Sequence, residues 1–157
     1  MFTTFLLASI ALTLSPGPDI LYVLTQSISN GKKFGIATAA GLVSGIVVHT
    51  TLIALGVSAI IKQSELIFTG IKILGACYLL WIAFQVYTTP ASINLKSNNS
   101  KKKSLLSLFK QGFIMNVLNP KVVMFFLAFL PQFIAPDVAN KTQAFLLLGV
   151  IFNLNSI

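Results

Sequence analysis

Charge is what this sequence has least of. Only 9% of its 157 residues are charged and three are acidic, whereas 55% are hydrophobic and mean hydropathy is +0.88. Soluble domains are about a quarter charged, and so little polar material cannot cover a globule in water. The composition fits a bilayer as solvent. The net charge of +8 would suggest nucleic acid in a soluble chain. Nucleic-acid binders need cationic and aromatic residues together on a wet surface. Here the lysines lie between apolar runs and most Phe residues lie inside them, which argues against nucleic acid and fits the positive-inside rule.

Other absences narrow the choice. A single cysteine, Cys77, lies in mid-run; it excludes an internal disulfide framework or a Cys-based metal site and reads as a small buried hydrophobe. There is no H-E-x-x-H, no G-x-S-x-G and no cysteine pair, so an intramembrane enzyme fares worst, and no metal or cofactor is implied. Strand alternation is missing, which disfavours a barrel. The first apolar residues have no basic n-region, and Ser15-Pro16-Gly17-Pro18-Asp19 does not resemble a cleavage site, so the segment is expected to be retained.

What is present is a series of apolar stretches, at about 2–28, 36–61, 66–87, 109–134 and from about 142 onward. The first four reach the ~20 residues that a helix needs to cross a bilayer. The expected fold is all-α, a polytopic transmembrane helix bundle forming one domain: a first half at 1–88, a loop at 89–108 and a partial second half at 109–157. Lys32 and Lys33 make the first loop basic, and Lys96, Lys101, Lys102, Lys103 and Lys110 the third. The second carries Lys62 against Glu65, and the fourth Asp137 and Lys141. Loops 29–35 and 89–108 are therefore expected in the cytoplasm and the N-terminus outside.

Two stretches are broken by proline. Ser15-Pro16-Gly17-Pro18-Asp19 cannot continue a regular helix, and Asn116-Val117-Leu118-Asn119-Pro120-Lys121 breaks the fourth stretch. In hydrocarbon, backbone groups freed by such a break cost several kcal/mol each unless protein, water or ligand satisfies them. With three helices per half, the breaks correspond and the repeats are inverted, a pattern that points to a transporter's binding site. Asp19 within an apolar stretch should face the bundle interior or a cavity, and an Asp19–Lys121 pair would offset part of both burial costs. A substrate's ammonium and carboxylate could compete for those two charges. The alternative is structural: packing kinks, a fixed ion pair, or a snorkelling Lys121.

Asp19 and His49, the latter near the middle of the second stretch, are candidate proton-relay groups, though such a histidine also serves as a neutral inter-helix partner. Lys72 is expected to snorkel, and Tyr87 to anchor at the interface. Gly31, Gly35 and Ala39, like Ala37, Gly41 and Gly45, recur every four residues, a spacing that lets helix backbones approach closely.

The chain resembles the LysE/RhtB family of amino-acid exporters. The resemblance rests on Pro16-Gly17-Pro18, on Gly31, Gly35, Gly41 and Gly45, on Lys72, Gly75, Ala76, Tyr78 and Leu79, and on Gly112, Asn116, Asn119-Pro120-Lys121 and Pro131-Gln132-Phe133. It implies a six-helix, proton-coupled exporter of small amino acids in the bacterial inner membrane, with the bilayer and protons as partners and a homo-oligomer left open. Ser15, Pro16, Gly17, Pro18, Asp19, Asn116, Asn119, Pro120 and Lys121 would then line the translocation pathway. Family members are longer, and the fifth apolar run, 144–152, is too short to span alone. The expectation is a C-terminally truncated second half; the alternative function is a non-transporting remnant or partner subunit. The polar residues in the last five positions would be unusual inside a helix.

Overall fold

Prolines and glycines decide where the helices stop. The computed structural model describes residues 2–15, 17–63, 65–88, 103–135 and 138–156; Pro16, Asp137, Lys96, Lys101 and Lys102 lie outside the described residues. Helix α1 spans Phe2–Leu14, and α2, Pro18–Asn30, opens on Pro18, whose missing N–H and fixed φ suit a first helical position. Gly31 ends α2 at φ +105, a backbone conformation that side-chain-bearing residues rarely adopt. Helix α3, Lys32–Gln63, starts immediately afterwards. The first loop is thus one residue rather than 29–35, because a single glycine at positive φ makes the turn. Helix α4 covers Glu65–Thr88.

The loop expected at 89–108 also ends early. Ser104 caps α5, Leu105–Val117, by accepting a hydrogen bond from the Ser107 N–H at 3.2 Å. Asn119 caps α6, Pro120–Met124, which runs on through a π-helical turn, Phe125–Phe129, and a 3₁₀ turn, Leu130–Phe133. Helix α7 spans Lys141–Asn155 behind an Asn140 cap. No strand occurs among the described residues, and the fold is an all-α bundle.

Parts of α3 (Lys32–Gly56) and α4 (Leu66–Gln85) are each long and apolar enough to cross a membrane. The α1–α2 pair, bent by 56°, and Leu105–Val117 with Pro120–Phe133, bent by 44°, add one span each when taken as broken helices. Helix α3 is the hub, packed on α2, α5 and α7. Both small-residue rows on α3 are used, on different faces. Gly35 faces Ser27 and Val23 of α2, whereas Gly41 lies against the Phe109 carbonyl and Gly45 against Asn116. The approach is reciprocal, since Gly112 of α5 lies against the Thr38 carbonyl. Gly31 is the exception: it has open space around it and is needed for its φ.

A phenylalanine-rich core lies beside this crossing. Phe125 stacks on Phe129 and Phe152 at 5.0 and 5.2 Å between centroids, Phe126 meets Phe152 at 5.0 Å, and Phe133 meets Phe5 at 5.2 Å. Helix α4 instead turns most of its apolar side chains outward, with Leu66 and Tyr87 among the most exposed. Cys77 shares that exposure, so it is not the buried residue expected from its place in an apolar run; periodicity does not tell a lipid face from a protein face on a helix that is apolar all round. Lys72 lies over the Phe68 ring, 4.9 Å from its centroid. The polar C-terminal residues turn toward the bundle: Asn153 donates to the Val43 carbonyl at 3.3 Å, and Ser156 lies 3.4 Å from Thr13.

The α3–α5 crossing should tolerate no added bulk. Gly112→Val, whose Cβ would meet backbone, is expected to lower stability by at least about 1–3 kcal/mol, read as a lower melting temperature in detergent. Gly70→Ala, at a position with open space, should melt like the parent.

Candidate functional site

A proline at position i removes the donor that would serve the carbonyl at i−4. At the second break that carbonyl belongs to Asn116. It accepts instead from the Asn119 N–H at 2.9 Å and lies 3.0 Å from His49 Nε2. A carbonyl can only accept, so Nε2 carries the proton. His49 therefore ties α3 to the end of α5 and uses its Nε2–H on backbone.

The first break is completed from the second. Pro16 has no N–H with which to serve the Leu12 carbonyl. The Lys121 ammonium reaches that carbonyl at 3.5 Å and the Ser15 carbonyl at 3.0 Å. Lys121 is buried, and these contacts, with the Asp19 carboxylate 4.0 Å away, occupy its surroundings. Sequence alone presented Lys121 as an ion-pair partner or a snorkelling residue; it docks one proline break into the other.

Asn119 makes the second link. Its Oδ1 accepts from the Lys121 N–H at 3.0 Å, capping α6, and its Nδ2 donates to Asp19 Oδ2 at 3.3 Å. Those two partners fix the amide's orientation, since one only donates and the other only accepts. Asp19 sits in the first turn of α2, where the helix dipole favours a negative charge. Its Oδ1 has no hydrogen-bond partner among the described residues, and neither has Asn116 Oδ1. A Cβ on Gly17 would lie 2.5 Å from Asp19 Oδ1 and 3.3 Å from Lys121 Nζ; one on Gly45 would lie 2.7 Å from Asn116 Oδ1. The two glycines let both unpartnered oxygens pack against backbone where a Cβ would stand.

Asp19, Asn116 and Lys121 line a cavity of about 230 Å³ between α1, α2, α3, α5, α6 and α7, whose other walls are mostly apolar, among them Ile20, Val43, Ile46 and Phe152. Of the residues expected along the pathway, Ser15, Gly17, Asp19, Asn116, Asn119 and Lys121 thus meet, with Pro18 and Pro120 opening their helices, while Pro16 lies outside the described residues. His49 and Asp19 share no hydrogen bond; His49 reaches the site through the Asn116 carbonyl. The backbone acceptors Leu12 and Ser15 were not foreseen as ligands of Lys121, although the i−4 rule applied to Pro16 marks Leu12. A further link, Tyr22 donating to Gln111 Oε1 at 2.8 Å with Lys103 on the same oxygen at 2.7 Å, joins α2 to α5 and carries no motif.

The two breaks differ in how much they stand to lose. Lys121→Met leaves the Leu12 carbonyl its bond from the Ser15 N–H at 3.3 Å but strands the Ser15 carbonyl, and should cost about 1–3 kcal/mol. His49→Phe should cost less, because the Asn116 carbonyl still accepts from Asn119. Melting temperatures of the two variants in detergent should rank in that order.

Comparison with known proteins places this architecture. The sequence matches the LysE type translocator family over residues 10–157. It is 36% identical over 146 residues to a homoserine/homoserine lactone efflux protein of Salmonella typhimurium, covering 93% of this chain and 70% of that protein. Identity is 35% over the same length to a protein so named in Salmonella typhi, and 31% over 150 residues to an uncharacterized membrane protein of Vibrio cholerae, with 96% and 72% of the two chains covered. No solved structure matches significantly. Translocators are transporters rather than enzymes, and by both the family match and its relatives this membrane protein belongs to the LysE type translocator family.

Proposed function

We propose that the chain exports small amino acids or their derivatives from the cytoplasm, by exchange with protons, through the cavity between the two proline breaks. The observation that carries this reading is the cavity: apolar walls, with Asp19, Asn116 and Lys121 converging at the point where two helices are interrupted. Transporters place substrate at such interruptions, where half-helix ends meet near the midplane. The relatives named for homoserine and homoserine lactone efflux support the substrate class.

One property of Asp19 supports exchange. Its Oδ1 is buried without a partner, and in this reading proton and substrate ammonium compete for that carboxylate. Mutual exclusion at one carboxylate is the minimum that an antiporter needs. His49, with Nε2–H committed to the Asn116 carbonyl, acts in this reading by holding the second break in place. The breaks are taken as corresponding positions of an inverted three-helix repeat, in the inner membrane, with the N-terminus outside and the basic segments 29–35 and 89–108 in the cytoplasm.

Cells loaded with amino-acid-rich dipeptides should release more free amino acid when they express the chain than when they carry vector alone. Equal release despite proven membrane insertion would sink the export reading. Asp19→Asn, which keeps shape and loses the titratable charge, should reduce export to the vector level; export at parental rate would remove Asp19 from the mechanism.

Orientation is tested separately. With Cys77 replaced by Ala, a cysteine at position 100 should react with impermeant maleimide only after the cells are opened, and one at position 64 in intact cells. The reverse pattern would invert the topology.

A further inference from the structure

The polar groups of the cavity are unevenly used. A hydroxyl has one proton to give and an ammonium three. Among the lining residues, Thr13 donates to the Ser9 carbonyl at 2.9 Å and Ser156 to the Phe152 carbonyl at 2.9 Å. The Lys121 ammonium is directed at the Ser15 and Leu12 carbonyls and at Asp19. The cavity's charged donor and both of its hydroxyl protons are therefore taken by protein. What remains without a partner is Asp19 Oδ1 together with the Asn116 amide, whose Oδ1 is unpaired, each lying against a glycine that has no Cβ to displace it. Only one of these carries charge, and it is negative.

We propose that this cavity recognises its ligand by a primary ammonium group, held between Asp19 and Asn116, and makes no ionic contact with the ligand's carboxylate. The inference rests on the reading of the cavity as a substrate site, and it goes further by dividing the substrate's two charges. An ammonium supplies the donors that the two oxygens lack. A carboxylate would have to draw Lys121 from the backbone carbonyls that it serves, and the Ser15 carbonyl would be left bare in a low-dielectric interior, which is costly. The ligand class is thus small primary amines with a short side chain, including amino-acid amides, esters and lactones, and not amino acids alone. A volume of about 230 Å³, set against about 30 Å³ per liquid water, suits a molecule of that size.

Three probes separate the charges: L-threonine has both, L-threoninamide has only the ammonium, and N-acetyl-L-threonine has only the carboxylate. A ligand that binds the folded state raises its melting temperature in proportion to occupancy, so titration of the detergent-purified chain reads all three directly. Threonine and threoninamide should half-saturate within about threefold of each other, and N-acetylthreonine should give no shift, since losing a contact to a buried charge costs about tenfold or more. Stabilisation by N-acetylthreonine, a tenfold weaker threoninamide, or no shift with any probe would overturn the proposal.

Lys121→Gln supplies a second reading that does not depend on overall stability. The ratio of threonine to threoninamide affinity should change by less than about threefold, because neither ligand uses Lys121. A selective tenfold loss of threonine would assign the carboxylate to Lys121 and refute the division of charges. Binding without export in cells would remove the exporter reading and leave this one intact; export of threonine with threoninamide excluded would do the opposite.

Discussion

The ammonium of Lys121 on the carbonyls of Leu12 and Ser15 is the contact on which the rest of this bundle depends. Two proline breaks within apolar stretches each release backbone acceptors that lipid could not satisfy. Apart, each break would be a defect. Brought together, the second break supplies the donor that the first lacks, and Asn119 adds a bond from its own cap to Asp19. The breaks are tolerated because they face each other, and the cavity lies beside their junction.

Such docking needs backbones closer than ordinary side chains allow. The α3–α5 crossing provides this through Gly41 and Gly112, each set against a carbonyl of the opposing helix. Gly45 then admits the Asn116 side chain, and one helical turn beyond it His49 reaches the Asn116 carbonyl. Small residues, proline and histidine along this line form one device: the glycines set the distance, Pro120 frees the acceptor, and His49 fills it. The same helix uses Gly35 on its other face to hold α2, whose first turn carries Asp19. Helix α3 thereby positions both halves of the site without contributing a charge to it.

Much of this was legible in the sequence, because the governing rules are local. Apolar length gave the helices, proline gave both breaks, and a carboxylate in an apolar run gave Asp19 an inward orientation. Spacing identified the glycines as packing positions, although it did not separate Gly31, whose task is a backbone angle. What sequence left open depends on where a long flexible side chain ends. Lys121 could pair or snorkel, and only the fold, which brings its ammonium within reach of the Leu12 and Ser15 carbonyls, shows the part it plays. The loops expected at 29–35 and 89–108 shrink because a single glycine or serine can turn or cap a helix in fewer residues than hydropathy resolves. Cys77 shows the converse limit, since an all-apolar helix such as α4 carries no periodic sign of which side meets protein.

The arrangement also explains why this site can be polar without being strongly charged. Asp19 and Lys121 stand 4.0 Å apart, at the outer limit of an ion pair, since the ammonium is drawn toward the backbone of α1. A tighter pair would draw the ammonium from the Ser15 carbonyl and leave that acceptor bare. The looser one keeps the first break satisfied, and its contact is with Oδ2, the oxygen that Asn119 also serves. Oδ1 stays outside both contacts. Repair of the broken helix thus takes up the lysine, and the aspartate keeps one oxygen that neither Lys121 nor Asn119 engages.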